Sequence, residues 1–149
     1  MTEAFPERPL PSTPLPANET ERLAALHRYK VLDTPPEAAF DRITRLAARL
    51  FNMPFALISL VDESRAWFKS SVGFGANEVP RDATLCSFAV LTDEPLIVPD
   101  TRLDVRFACN PFVQSEPGVR FALRVRPCSV LMALIWERFV CSTASHVTR

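Results

Sequence analysis

Phe55-Ala56-Leu57-Ile58-Ser59-Leu60-Val61-Asp62-Glu63-Ser64-Arg65-Ala66-Trp67-Phe68-Lys69-Ser70-Ser71-Val72 is the stretch that decides the fold. Residues 55–61 are almost wholly apolar and too few for a helix, so they predict a central strand. Asp62-Glu63-Ser64 is a turn. Residues 66–72 are aromatic-rich and predict a second strand, paired with the first as a hairpin. Side chains alternate across a strand, so Trp67 and Phe68 face opposite sides of the sheet. Core packing is the role of whichever faces inward, and the other is a candidate pocket floor.

Upstream, Thr34-Pro35-Pro36-Glu37 has the form of a capping box opening a helix. Its apolar stripe is Phe40, Ile43, Leu46, Ala47 and Leu50, with Arg42, Arg45 and Arg49 on the wet side. An earlier helix starts near Asn18, carries Leu23, Leu26 and Tyr29 at helical spacing, and has Glu19 and Glu21 where the dipole favours acids. Before it, Pro6, Pro9, Pro11, Pro14 and Pro16 block helix and ladder pairing, so residues 1–18 read as an extended, disordered arm. Downstream, residues 73–81 read as loop and Thr84 to Leu91 as a short helix. Leu96-Ile97-Val98 reads as a strand, residues 99–110 as a polar loop, and Val119-Arg120-Phe121 as the start of another strand. The order implies an α+β fold, an antiparallel sheet with helices on one face. Leu46, Leu50, Leu57, Ile58, Leu60, Ile97 and Val98 are the expected core.

With 149 residues the chain has one domain's worth of sequence and enough to bury a core. Lys plus Arg and Asp plus Glu both number 17, so the net charge is zero and gives no bulk claim on nucleic acid or anionic membrane. Three Gly against 14 Pro leave no phosphate-cradling loop. Cys86, Cys109, Cys128 and Cys141 are widely spaced and the histidines are His27 and His146, so no zinc pattern exists. No apolar run approaches the ~20 residues of a membrane span. No signal peptide opens the sequence, and the expectation is a cytoplasmic protein with reduced thiols.

A series of short stretches now lines up. It includes Arg22-Leu23-Ala24-Ala25-Leu26, Val31-Leu32-Asp33-Thr34-Pro35-Pro36-Glu37, Phe40-Asp41-Arg42-Ile43-Thr44 and Ala56 to Asp62. Trp67-Phe68-Lys69-Ser70, Pro80-Arg81-Asp82, Cys86, Val98-Pro99-Asp100, Asp104, Arg106-Phe107-Ala108 and Asn110-Pro111 follow. In this order and spacing, from Glu21 to Phe121, the chain resembles a GAF domain of the type at the N-terminus of bacterial sensor histidine kinases and diguanylate cyclases. The resemblance implies a six-stranded antiparallel sheet with a small-molecule pocket on one face. It departs at Thr84-Leu85-Cys86-Ser87-Phe88, where Phe88 stands in place of the family's histidine.

A larger departure follows Phe121. The family continues with two glycine-containing strands, whereas residues 122–149 contain no glycine. Two readings stand: an unrelated natural segment, or a frame-shifted reading of the lost C-terminus. Met132-Ala133 and Trp136-Glu137 both force a glycine codon when the frame moves by one base, at the family's glycine spacing. Neighbouring codons permit Pro-Asp before the first and Thr-Leu-Cys-Val after the second. Residues 19–121 are thus expected to be an incomplete GAF-like domain lacking its native last two strands, with 122–149 as a non-family tail. The apolar run from Val130 to Cys141 is expected to collapse onto the sheet as an imperfect strand or short helix.

The resemblance implies a sensory module of signal transduction, truncated and without an output domain, rather than an enzyme. Its candidate ligand-binding residues are Trp67, Phe68, Arg81, Cys86, Phe88, Asp100, Arg106 and Asn110. Cys86 also reads as a small buried hydrophobe, and Asp100, Asp104 and Arg106 as turn caps and ion pairs. The ligand, and any cofactor, cannot be named from the sequence. Partners implied are a small molecule and a second copy through helices, not nucleic acid or membrane. The alternatives are a redox enzyme like the methionine sulfoxide reductases of this family, using Cys86 with Cys109, or a non-functional gene remnant.

Overall fold

The computed structural model describes residues 13–92, 94–115, 119–125 and 131–136, with 121, 123–125 and 131–136 given by backbone. A six-stranded antiparallel sheet has the order β3-β2-β1-β6-β5-β4. Its strands are β1 Phe55–Val61, β2 Arg65–Val72, β3 Glu78–Pro80, β4 Leu96–Val98, β5 Phe121–Val125 and β6 Leu131–Trp136. The helices are α1 Glu19–Arg28, α2 Ala38–Leu50 and the single turns α3 Cys86–Ala89 and α4 Pro111–Gln114, with a 3-10 turn at Arg81–Ala83. The class is α+β, as the hairpin reading implied.

β1 and β2 pair antiparallel, Ala56 opposite Val72 and Val61 opposite Ala66, so the hairpin stands as read. Between Ile58↔Ser70 and Ser59↔Phe68 the register slips past Lys69, a bulge in β2. Gly73 closes the strand at φ 77, and a Cβ there would lie 2.1 Å from the carbonyl oxygen of Pro54. β3 lies within the stretch read as loop. Three residues ending in proline are too short for a period-two signal, and the strand exists because it can pair with the edge of β2.

β1 alternates cleanly. Ala56 packs with Ala47 and Ala48 of α2, and Leu60 with Leu26 of α1. Leu57 and Val61 point the other way, toward Phe68, Val79, Cys86 and Ala89. The two longer helices therefore share one face, and α3, α4 and their loops cover the other.

Four of the seven expected core residues, Leu57, Ile58, Leu60 and Val98, are buried. Leu46 and Leu50 are not: they are 66% and 73% exposed, and Ile43 is 49% exposed. α2 instead turns Thr44, Ala47 and Ala48 to the sheet, because small side chains let the helix lie close to Ala56. Ile97 is 58% exposed, since it alternates with buried Val98 on the edge strand β4. The capping box does not form. Thr34 donates to the Val31 carbonyl and accepts from Lys69, and α2 starts only at Ala38. Tyr29 is the C-cap of α1 and is exposed, while Leu26 is buried.

Residues 13–16 have no regular structure, and 1–12 lie outside the described residues, as do 126–130 and 137–149. Within residues 122–149, β6 occupies the sheet centre, pairing Leu57↔Ala133 with β1 and Leu123↔Leu134 with β5. Of the apolar run Val130 to Cys141, expected as a strand or a short helix, the described residues Leu131–Trp136 form a strand.

Candidate functional site

The sheet face opposite α1 and α2 carries the candidate site. β1 offers Leu57, Ser59 and Val61 to that side by alternation, and Phe68 sits directly across from Ser59. Cys86, on α3, is 4% exposed and packs in the same cluster as Leu57 and Phe68. Phe88 belongs to the adjoining cluster with Leu85, Val98, Phe107 and Val113, and its ring meets Phe107 edge-on at 4.9 Å. Phe112, at the start of α4, packs against both clusters and reaches Phe74, which in turn meets Phe68 at 5.5 Å.

Asn110 fastens this layer. Its side-chain oxygen accepts from the Phe112 N–H at 2.9 Å as the N-cap of α4, and its amide donates to the Ala83 carbonyl at 2.8 Å. Ser87, fully buried, donates to the Arg81 carbonyl. The roof over the sheet is thus tied to itself by side-chain bonds to backbone, where loop polar groups need partners.

Ser59 is the residue that sequence reading missed. It is 0% exposed at the centre of the sheet, and its hydroxyl has no hydrogen-bond partner among the described residues. A buried hydroxyl without a partner loses its hydration for nothing, a cost of about 1–3 kcal/mol. The available signal was a polar residue inside an otherwise apolar strand.

The other candidates separate. Trp67 does not join the site; it faces α1, packing with Leu26 and Leu60. Arg81 is buried at the end of the β1–β2 hairpin, where one terminal nitrogen donates to Glu19 and to the carbonyl of Asp62. Its Nε and second terminal nitrogen lack partners among the described residues. Glu19 also holds Arg22 at 2.8 Å, and hydrogen bonds from Arg22 and then Arg81 bring its carboxyl down to about 2. Asp100 pairs with Arg102, and Asp104 with Arg106 at 2.6 Å, whose guanidinium lies over the Phe107 ring. These partners lower both aspartates below the usual carboxylate range, the ion-pair reading of these residues. Cys109 is exposed and Cys86 buried, and neither is in a disulfide. Among the described residues no helix is long and apolar enough to cross a membrane, and no acid, Cys and His group could hold a metal.

An antiparallel sheet flanked by helices on one face and by a short-helix roof on the other defines a small α+β class. The family described as GAF domain matches residues 35–126, so the chain belongs to the GAF family. It is 37% identical over 108 residues to a cyclic di-GMP phosphodiesterase of Pseudomonas aeruginosa, matching 72% of this chain but spanning only 18% of that protein. The GAF domain of an Acinetobacter phosphoenolpyruvate-protein phosphotransferase superposes with a TM-score of 0.53 at 13% identity, covering 83% of this chain and 80% of that one. A type II free methionine-R-sulfoxide reductase from Thermoplasma acidophilum superposes with a TM-score of 0.53 at 13% identity, covering 71% and 77%. At these identities the two structures speak for the fold.

Proposed function

We propose that this chain is a regulatory small-molecule-binding module of bacterial signal transduction, which binds rather than catalyses. The carrying observation is the orphaned hydroxyl of Ser59, fully buried on the face lined by Phe68, Cys86 and Phe112. A ligand with an apolar body and one hydrogen-bonding group on it would satisfy that hydroxyl. Phe88, standing where the family has histidine, makes the roof more apolar. Membership of the GAF family and the signalling protein to which the chain is 37% identical support the context. On this reading the bound state adjusts a partner's output, as a regulatory segment of a longer signalling enzyme would.

Native mass spectrometry of the full chain tests it. A bound small molecule is expected, with weaker retention in Ser59→Ala. An unliganded protein that takes up nothing from a cell extract refutes it. The enzyme reading needs an attacking thiolate and a resolving thiol within reach, and the 4% exposure of Cys86 speaks against it. Methionine sulfoxide turnover that Cys86→Ser abolishes would reverse that conclusion.

Residues 1–18 are read as an arm, 19–121 as the domain and 122–149 as a frame-shifted tail. The family match covers residues 35–126, which takes in most of 19–121 and extends five residues past it. Codons of the gene whose shifted reading lacks the family's glycine strands would remove the frameshift.

A further inference from the structure

Two of the chain's three glycines, Gly73 and Gly75, stand on either side of Phe74 in the loop that joins β2 to β3. They are not alike. Gly73 is in the left-handed region and lies against the Pro54 carbonyl, so a side chain cannot fit and that end of the loop is pinned. Gly75 is outside that region, and nothing lies within 4 Å of where a Cβ would stand. Among the described residues no backbone–backbone hydrogen bond involves residues 74–76. The Ser71 hydroxyl is 3.5 Å from the Phe74 carbonyl oxygen, too long to hold it.

What fastens the loop is the Phe74 ring. It meets Phe68 edge-on at 5.5 Å, and Phe55 and Phe112 each at 6.1 Å. It also packs on the cluster that contains Leu57, Phe68 and Cys86. Phe55 and Phe68 belong to the sheet and Phe112 to α4, so this one ring spans from the floor of the candidate site to its roof. Ring contacts are individually modest, and segments with few backbone bonds are the ones that open locally.

We infer that Phe74 is the door to the compartment above Ser59. The loop swings about Gly75, lifts the ring off Phe68 and Phe112, and admits a small apolar ligand. This rests on the ligand reading of Ser59, to which it adds the route by which a fully buried hydroxyl is reached. The same opening uncovers the buried thiol of Cys86, which therefore reports on the door with no ligand present.

The test adds iodoacetamide, small and uncharged, to the folded full chain and follows each cysteine separately by peptide mass spectrometry. Exposed Cys109 is the internal reference. In the unaltered chain Cys86 is expected to react slowly, at a rate nearly flat in urea below the unfolding transition, as local opening requires. Phe74→Ala is expected to speed Cys86 about ten-fold or more relative to Cys109. Gly75→Ala meets no atom and restricts the open loop, so it is expected to slow Cys86 about two- to five-fold. It removes no packing, and it gives an independent answer where Phe74→Ala unfolds the chain. A Cys86 rate that climbs with urea as steeply as global unfolding, or one that Gly75→Ala leaves unchanged, overturns the door. The two readings fail separately. A chain that takes up no small molecule while Cys86 responds to both variants keeps the door and loses the ligand. A retained molecule with Cys86 indifferent to both keeps the ligand and loses the door.

Discussion

The two faces of the sheet treat the buried polar side chains of β1 and β2 in opposite ways. On the helix face every buried polar side chain that the hairpin carries is used. The Ser70 hydroxyl donates to Asp41 and is 2.8 Å from the Thr44 hydroxyl. Lys69, the bulge residue, is 4% exposed yet holds Thr34 at 2.7 Å, the Pro35 carbonyl at 2.9 Å and Glu37, with the Phe40 ring 5.4 Å away. On the opposite face Ser59, one register step from Ser70's partner Ile58, has a buried hydroxyl with no partner among the described residues. Satisfied groups hold elements together, whereas the unsatisfied hydroxyl beside a cluster of rings is the one the proposed ligand would partner.

The largest effect should come from the roof itself. Phe107 is 0% exposed and meets the Phe88 ring edge-on, so Phe107→Ala should lower stability by about 3–5 kcal/mol in urea unfolding. A change under ~1 kcal/mol would mean that the roof is not a packed layer. Next, Ser70→Ala strips the helix face of a bond shared by α2 and β2, leaving Thr44 and Asp41 short of a partner. It should destabilise by about 1–3 kcal/mol.

Acid comes third. The Glu19 carboxyl is held at about 2 against a usual 4.5, so it contributes stability that is present above pH 4.5 and lost as pH falls toward 2. The loss should be on the order of 1–2 kcal/mol after allowing for partial solvent screening, and Glu19→Gln should remove it. Chemical denaturation across that range reads both. The smallest effect separates the faces most sharply: Ser59→Ala should leave stability unchanged or raise it by up to ~1 kcal/mol, opposite in sign to Ser70→Ala. A destabilised Ser59→Ala protein would show that the hydroxyl already has a partner and would end the contrast.

The hairpin was legible because period-two alternation and an apolar run leave few alternatives, and the same alternation puts Ser59 and Phe68 on one face. The face of α2 was not legible. Its large residues Ile43, Leu46 and Leu50 form the obvious stripe, yet Thr44, Ala47 and Ala48 face the sheet. Periodicity ranks residues by apolarity, while close approach to Ala56 ranks them by size. Of the candidate site, Phe68, Cys86, Phe88 and Asn110 come together, since they lie on elements that roof or floor one face. Trp67 could not be assigned a side until α1 packed on it.

Composition, alternation and motif spacing by themselves determined the class, the hairpin and the family, because each is carried by local sequence with a fixed period. Which face of α2 is buried, where β6 inserts, and which serine is left without a partner were decided only by tertiary packing. Those outcomes depend on the distances between elements far apart in the chain, and no local pattern encodes them.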